Sequence, residues 1–186
     1  MKLDIEFTSK EIFFDFFNKN RAKVFGNSNE YNINLLLTNE EFEKMKHHTE
    51  MYEKRKGYYL LAKYQDEIIG WSFGVQRSHE DLYMVNSAVF ESYRRKGIYT
   101  QILAAALDKC KEMGFLHIYS KHRFHNSHIL IPKLKMGFII SGIEVSPAFG
   151  SLVQLSYYTN EAVKKAFLNR LGYEPLTDEM KEKLGL

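Results

Sequence analysis

Two polar segments near the amino terminus have the spacing of a helix capping box. In each, a threonine is followed three residues later by a glutamate that leads into a helical pattern (Thr8 with Glu11, and Thr38 with Glu41). A polar break at residues 26–29 separates the two predicted helices. The second helix is expected to continue to about Lys56 and to end at Gly57.

The middle of the chain changes to a β-rich pattern. Residues 58–64 and 68–75 are strand-like runs separated by the short polar turn Gln65-Asp66-Glu67, which predicts an antiparallel hairpin. A third run spans residues 82–90. From Ile98 the apolar residues recur every three or four positions, which predicts a helix that ends at Gly114.

A short strand at residues 115–120 follows this helix and completes a strand–helix–strand unit. Such a unit forms a right-handed parallel crossover, and ligands bind at the carboxyl edge of its strands. The rest of the chain is expected to form a short helix, two strands, a charged helix and a polar tail that is either helical or frayed (residues 129–136, 138–145, 152–158, 160–171 and the segment after Pro175).

A basic turn joins the third strand run to the central helix. Arg94, Arg95 and Lys96 precede Gly97, and the helix begins immediately afterwards. The first amides of a helix have no internal acceptors, and the helix dipole places partial positive charge there. Three cations and a glycine that allows close approach therefore predict a site for a pyrophosphate.

Composition narrows the class of protein. The 186 residues are 45% hydrophobic and 26% charged, which is typical of one folded domain with a real core. A net charge of +3 is too small to indicate nucleic-acid binding. A single cysteine excludes an intrachain disulfide, and the acids among the first six residues argue against a signal peptide. No apolar run is long enough for a membrane span, so we expect a cytoplasmic protein.

The stretch from about residue 58 to residue 158 resembles the GNAT superfamily of acyl-CoA-dependent N-acyltransferases. Its signature turn is matched by Arg94-Arg95-Lys96-Gly97-Ile98-Tyr99, with Val89 eight residues before the glycine. The family's second motif is matched by Asn126 and Lys135-Met136-Gly137-Phe138. The resemblance implies an α/β (α+β) fold with a mixed, mostly antiparallel sheet flanked by helices. Residues 1–186 would form one domain, with a helical extension at 159–186.

The resemblance also implies which residues bind acetyl-CoA, the acyl donor. The turn would hold the pyrophosphate, the backbone of the preceding strand end would pair with the pantetheine arm, and an asparagine would reach that arm from the other side. A backbone N–H of that strand would also polarise the thioester carbonyl. The residues concerned are Ala88, Val89, Arg94, Arg95, Lys96, Gly97, Ile98, Tyr99, Thr100 and Asn126.

Two positions depart from the family pattern. Tyr99 replaces a small residue, and we expect its ring to turn away from the ligand. Lys133 stands where many members have a tyrosine that protonates the leaving thiolate. The same position also fits an ordinary surface lysine, which we favour. Lys133→Ala is therefore expected to lower kcat by about tenfold or less, below the range for an obligatory acid.

Other candidates for the chemistry are less specific. Acids before the third strand run, a tyrosine in it and a histidine just past the next strand could serve as base or cleft residues (Glu80, Asp81, Tyr83 and His122). Asn126 also fits a helix N-cap. Three histidines at 122, 125 and 128 lack a fitting carboxylate or thiolate, so we predict no metal. Trp71 and Cys110 are expected in the core.

The favoured function is transfer of an acetyl group from acetyl-CoA to a primary amine by direct attack in a ternary complex, since no activated nucleophile is evident. The acceptor is a small molecule or a peptide, with no nucleic-acid or membrane partner, and the protein is a monomer or homodimer. One alternative is a catalytically silent acyl-CoA-binding or regulatory module. Another is an RNA- or ribosome-binding protein that uses residues 94–96 and 164–165.

Overall fold

The computed structural model describes residues 3–26 and 33–186. Seven strands and six α-helices are found in this part of the chain. The strands are β1 (Asp4–Phe7), β2 (Gly57–Tyr64), β3 (Glu67–Gln76), β4 (Asp81–Val89), β5 (His117–Arg123), β6 (Ile139–Ser146) and β7 (Gly150–Tyr158). The helices are α1 (Lys10–Phe25), α2 (Asn39–Glu53), α3 (Ile98–Glu112), α4 (Ser127–Lys135), α5 (Glu161–Arg170) and α6 (Asp178–Leu184).

The strands form one sheet in the order β1-β2-β3-β4-β5-β7-β6. Neighbouring strands run antiparallel except β4 and β5, which are parallel and are joined through α3. The predicted mixed, mostly antiparallel sheet with one parallel crossover is therefore confirmed. The parallel pair sits in the middle of the order, so α3 begins at the carboxyl end of a central strand.

The helix and strand boundaries correct the sequence predictions in four places. The N-cap of α1 is Ser9 rather than Thr8, because the Ser9 hydroxyl accepts a hydrogen bond from the Ile12 amide at 3.4 Å. Helix α2 ends at Glu53 rather than near Lys56, and Gly57 is the first residue of β2. Strand β1 was missed, because four residues are too few to show a period. Strand β5 starts and ends later than predicted.

Other local predictions are confirmed. The Thr38 amide donates to the Glu41 carboxylate at 2.9 Å, and the Glu41 amide donates back to the Thr38 hydroxyl at 3.3 Å. Gln65 and Asp66 both have positive φ, which is the geometry of a tight two-residue hairpin turn. The predicted break at residues 26–29 lies, apart from Gly26, outside the described residues.

The sheet buries a different core on each face. One face packs against α3, with residues such as Leu82, Ile102 and Ile118 inaccessible to solvent. The other packs against α1 through an aromatic cluster built around Phe13 and Trp71. Trp71 is fully buried as expected, and its indole N–H donates to the Asn86 side chain at 2.8 Å. Cys110 is also buried, on the α3 side.

Within the described residues, no helix is both long and apolar enough to cross a membrane.

Candidate active site

Strands β4 and β5 separate before they end, and this leaves a wedge-shaped gap in the middle of the sheet. Their pairing runs only from Asp81 opposite His117 to Tyr83 opposite Tyr119. Beyond these pairs β4 continues to Val89, paired with β3, and β5 continues to Arg123, paired with β7. Two strand edges with unpaired backbone groups therefore face each other across the gap, and such edges can hydrogen-bond an extended ligand.

A β-bulge in β4 lies where the gap opens. Phe73 of β3 pairs with Asn86 and the next residue, Gly74, pairs with Met84, so Val85 is an extra residue without a partner on β3. A bulge bends the strand and redirects its backbone groups. Nothing in the sequence signalled this feature, because Val85 continues an unbroken strand pattern.

The basic turn forms a loop at the mouth of the gap. Its backbone includes two residues with positive φ, Arg95 at 62° and Gly97 at 73°. No side chain caps α3, and the amides of Ile98, Tyr99 and Thr100 have no acceptor in the described part of the chain. The helix N-terminus is thus open to an anion, and its binding of a pyrophosphate stays a prediction.

Two basic side chains of the loop form hydrogen bonds with nearby backbone carbonyls. Arg94 Nε donates to the Val89 carbonyl at 3.1 Å, which ties the loop to the end of β4. Lys96 Nζ donates to the Ser92 carbonyl at 3.2 Å and lies over the ring of Tyr93. Both side chains remain exposed, so their charge stays beside the helix N-terminus.

The ring of Tyr99 packs against the core on the α3 side, away from the open loop, as expected. Its hydroxyl is buried without a hydrogen-bond partner among the described residues. Burial raises the pKa of Tyr99 well above its usual range. The residue therefore contributes its backbone, not its hydroxyl, to the loop.

Asn126 is the N-cap of α4 on the β5 side of the gap. Its backbone carbonyl accepts from the amides of Ile129 and Leu130, but its side chain makes no capping hydrogen bond. The predicted N-cap position is therefore confirmed, although the side chain takes no part in the capping. The amide group is left available to a ligand, and its proposed contact with the pantetheine arm stays a prediction.

Lys133 is not a surface lysine, and that favoured interpretation is wrong. Its side chain is 1% exposed and is directed from α4 toward the point where β4 and β5 separate. Nζ donates to the Ser120 hydroxyl at 2.7 Å and to the Met84 sulfur at 3.4 Å, and it lies 4.5 Å from the centre of the Phe138 ring. Met84 and Ser120 immediately follow the last paired residues of β4 and β5.

The surroundings of Lys133 shift the protonation of three groups. Burial lowers the pKa of Lys133 from 10.5 to about 7, so its charge changes near neutral pH. Burial, reinforced by the Lys133 charge, lowers the pKa of His122 to about 3. Burial raises the pKa of the Cys110 thiol to about 12, against an opposing effect of Lys133.

His122 lies within β5 rather than just past its end, which corrects the sequence prediction. Its Nε2 is 2.9 Å from the Ser120 hydroxyl, so the structure brings His122 and Lys133 onto the same serine. Nothing in the sequence marks Ser120 as functional, since a serine within a strand pattern gives no signal.

The remaining candidates from the sequence, Glu80, Asp81 and Tyr83, do not contact Lys133. Asp81 is at the amino end of β4, where its carboxylate is 2.7 Å from His117 Nδ1 and accepts from the Ser78 hydroxyl at 2.7 Å. Glu80 is exposed just before it. The structure does not bring these acids together with Lys133. Tyr83 points to the opposite face of β4 from Met84, because adjacent strand residues alternate.

Tyr83 lines a cavity of about 290 Å³ on that opposite face. Arg77 lies 5.1 Å from the centre of the Tyr83 ring, and Lys121 forms an ion pair with Glu144 at the same cavity. The β6–β7 hairpin contributes Ser146 and Phe149 to its wall. The described residues contain no cluster of three or more His, Cys, Asp or Glu side chains that could hold a metal.

The sequence matches the Acetyltransferase (GNAT) family over residues 29–138, more than half of the chain. The chain belongs to the GNAT acetyltransferase family. The matched region contains the gap between β4 and β5, the basic loop, Asn126 and Lys133. A comparison with curated proteins finds no match.

Solved structures of GNAT proteins share the fold. An acetyltransferase from Bacillus subtilis in complex with CoA is 21% identical with a TM-score of 0.57, over 86% of this chain and 100% of that one. A GNAT family acetyltransferase from Elizabethkingia anophelis with acetyl-CoA bound is 20% identical with a TM-score of 0.56, over 84% and 97%. The ribosomal-protein-S18-alanine N-acetyltransferase from Escherichia coli is 10% identical with a TM-score of 0.60, over 84% and 94%.

Proposed function

We propose that this GNAT protein transfers an acetyl group from acetyl-CoA to a primary amine by direct attack in a ternary complex. The observation that carries the proposal is the gap between β4 and β5, with an open, basic helix N-terminus at one end and a buried lysine at the other. CoA or acetyl-CoA is bound in GNAT neighbours of the same fold, which supports the identity of the donor.

The residues of the gap fit the donor molecule. The amides from Ile98 to Thr100 and the cations Arg94–Lys96 would hold its pyrophosphate. The free edge of β4 at Ala88 and Val89, together with the Asn126 side chain, would bind the pantetheine arm as an added strand is bound. The thioester would then lie toward the bulge at Val85, where a backbone N–H can stabilise the oxyanion.

Lys133 is proposed to donate a proton to the departing thiolate. Its Nζ occupies the closed end of the gap, and a pKa of about 7 means that it is both charged and a ready donor near neutral pH. This burial changes the expectation from the sequence: Lys133→Met should lower kcat by about hundredfold or more, the effect of losing a required acid.

The acceptor is proposed to be a small-molecule or peptide amine that enters from the cavity beside Tyr83. That cavity adjoins the last paired residues of β4 and β5 from the face opposite Lys133. Donor and acceptor could then meet through the gap without competing for space. The E. coli neighbour, named for acetylation of an alanine of ribosomal protein S18, is a precedent for a peptide amine on this fold.

The test is release of free CoA thiol from acetyl-CoA in the presence of a panel of amines, amino acids and peptides. The expected result is amine-dependent release by the parent protein and no release by Gly97→Asp, which places a carboxylate at the open loop. If the parent protein binds CoA yet acetylates no member of the panel, the silent acyl-CoA-binding module becomes the better description.

A further inference from the structure

Three polar side chains form a continuous hydrogen-bonded row from the buried end of the gap toward solvent. Lys133 Nζ is 2.7 Å from the Ser120 hydroxyl, and that hydroxyl is 2.9 Å from His122 Nε2. Lys133 and Ser120 are each 1% exposed, whereas His122 is partly exposed. Ser120 and His122 are two residues apart in β5, so they share the face that Lys133 approaches.

We propose that Ser120 and His122 are a proton relay that reloads Lys133 from solvent. The use of the relay in turnover rests on the proposed acetyl transfer, in which Lys133 loses a proton to the thiolate. The hydrogen-bonded row itself does not depend on that reaction.

The chemistry of the row suits this role. A serine hydroxyl and a neutral imidazole can each accept a proton on one side while donating one on the other. The low pKa of His122 keeps its ring neutral at physiological pH, so one ring nitrogen carries a proton to donate and the other is free to accept one. The other described groups in contact with Lys133 Nζ, the Met84 thioether and the Phe138 ring, carry no exchangeable proton. The Cys110 thiol, which interacts electrostatically with Lys133, is inaccessible to solvent and offers no route to it.

The proton balance closes over one cycle. Lys133 gives one proton to the thiolate, which leaves as the free thiol, and Nζ becomes a neutral amine. Nζ then takes the Ser120 hydroxyl proton, Oγ takes the proton of His122 Nε2, and Nδ1 takes one from solvent. Lys133 regains its charge, and Ser120 and His122 end neutral, with the His122 proton on Nδ1. Solvent reaches this partly exposed ring, and by protonating Nε2 and removing the Nδ1 proton it restores the starting tautomer at no net cost in protons. The acceptor ammonium loses two protons in forming the amide, so the whole reaction releases one.

The relay can be tested without turnover by measuring how fast the Lys133 ammonium hydrogens exchange with water. The protein is labelled with 15N-lysine and studied below pH 6, where Lys133 is charged, and its signal is assigned by its loss in Lys133→Met. Ser120→Ala should slow this exchange several-fold. Mere loosening of the packing would have the opposite sign, because it would admit water and speed exchange.

Matched variants sharpen the comparison. Ser120→Thr keeps a hydroxyl and should retain most of the exchange rate. Ser156→Ala removes another buried serine hydroxyl, which lies 2.8 Å from His117 Nε2 on the other face of the sheet. This control should leave the exchange rate of the Lys133 hydrogens unchanged. His122→Phe should slow exchange as Ser120→Ala does, and the double variant should be no slower, since both interrupt one route.

Unchanged or faster exchange in Ser120→Ala overturns the relay. With an accepted amine in hand, Ser120→Ala should also lower kcat several-fold while the KM for acetyl-CoA stays constant, and slowed exchange with an unchanged kcat would overturn its use in turnover. If the parent protein acetylates no amine but exchange slows as expected, the proposed function fails and the relay stands.

Discussion

The charge of Lys133 should weaken the fold, and raising the pH should therefore stabilise this protein. The folded state holds the pKa of Lys133 at about 7, whereas an exposed lysine in the unfolded chain has 10.5. Between these values the unfolded chain binds more protons than the folded one, so the free energy of unfolding rises with pH. Below pH 7 the lysine is charged in both states, and the full penalty of burying that charge is present.

The magnitude follows from the two pKa values. Each pH unit well inside the interval adds about 1.4 kcal/mol, and the gain from pH 7 to pH 8.5 is about 1.5 kcal/mol because titration is only half complete at the start. The measurement stops at pH 8.5 because the Cys110 thiol has an opposing effect at higher pH. Folding raises the pKa of this thiol from 9.0 to about 12, so the free energy of unfolding falls once the thiol ionises in the unfolded chain.

Urea denaturation of the parent and Lys133→Met at pH 7.0, 7.5, 8.0 and 8.5 measures this effect. The parent should gain about 1.5 kcal/mol across the range, and the variant should lack that gain and be the more stable protein at pH 7. Lys135→Met, which removes an exposed lysine from the same helix, should keep the parental slope. A flat parental profile, or an equal slope in Lys133→Met, would refute the burial of this charge.

Three further predictions concern the site. CoA should raise the melting temperature of the parent but not of Gly97→Asp. The control Gly114→Asp introduces the same positive-φ strain at the other end of α3 and should respond to CoA as the parent does, so equal shifts in all three proteins would contradict the pyrophosphate site. Asn126→Ala should raise the KM for acetyl-CoA about fivefold, which is the effect of losing one hydrogen bond, and should leave the melting temperature unchanged because the side chain makes no capping hydrogen bond. A lower melting temperature with unchanged kinetics would argue for a purely structural role. If Lys133 donates as the ammonium, the ratio of parental kcat to that of Lys133→Met should fall as the pH rises above about 7, and a constant ratio would exclude that role.

Much of the fold could be predicted from the sequence because its signals are local. The Thr38–Glu41 capping box, the Gln65-Asp66 turn and the apolar period of α3 each depend on residues within a few positions of one another. The basic turn ahead of α3 is equally local, since the open amides of a helix N-terminus follow from chain order alone. The open helix N-terminus proposed to bind acetyl-CoA could thus be predicted before any tertiary contact was known.

The environment of Lys133 could not be predicted in this way. Its neighbours Met84 and Ser120 come from two strands far away in the chain, and nothing in the pattern of α4 distinguishes a lysine that faces them from one in solvent. The same holds for the gap, since where β4 and β5 part depends on register and on the bulge at Val85. Sequence by itself determined which backbone amides are left without an acceptor at the start of α3. Tertiary packing decided that the Lys133 side chain is desolvated, because desolvation is a property of everything that surrounds a group.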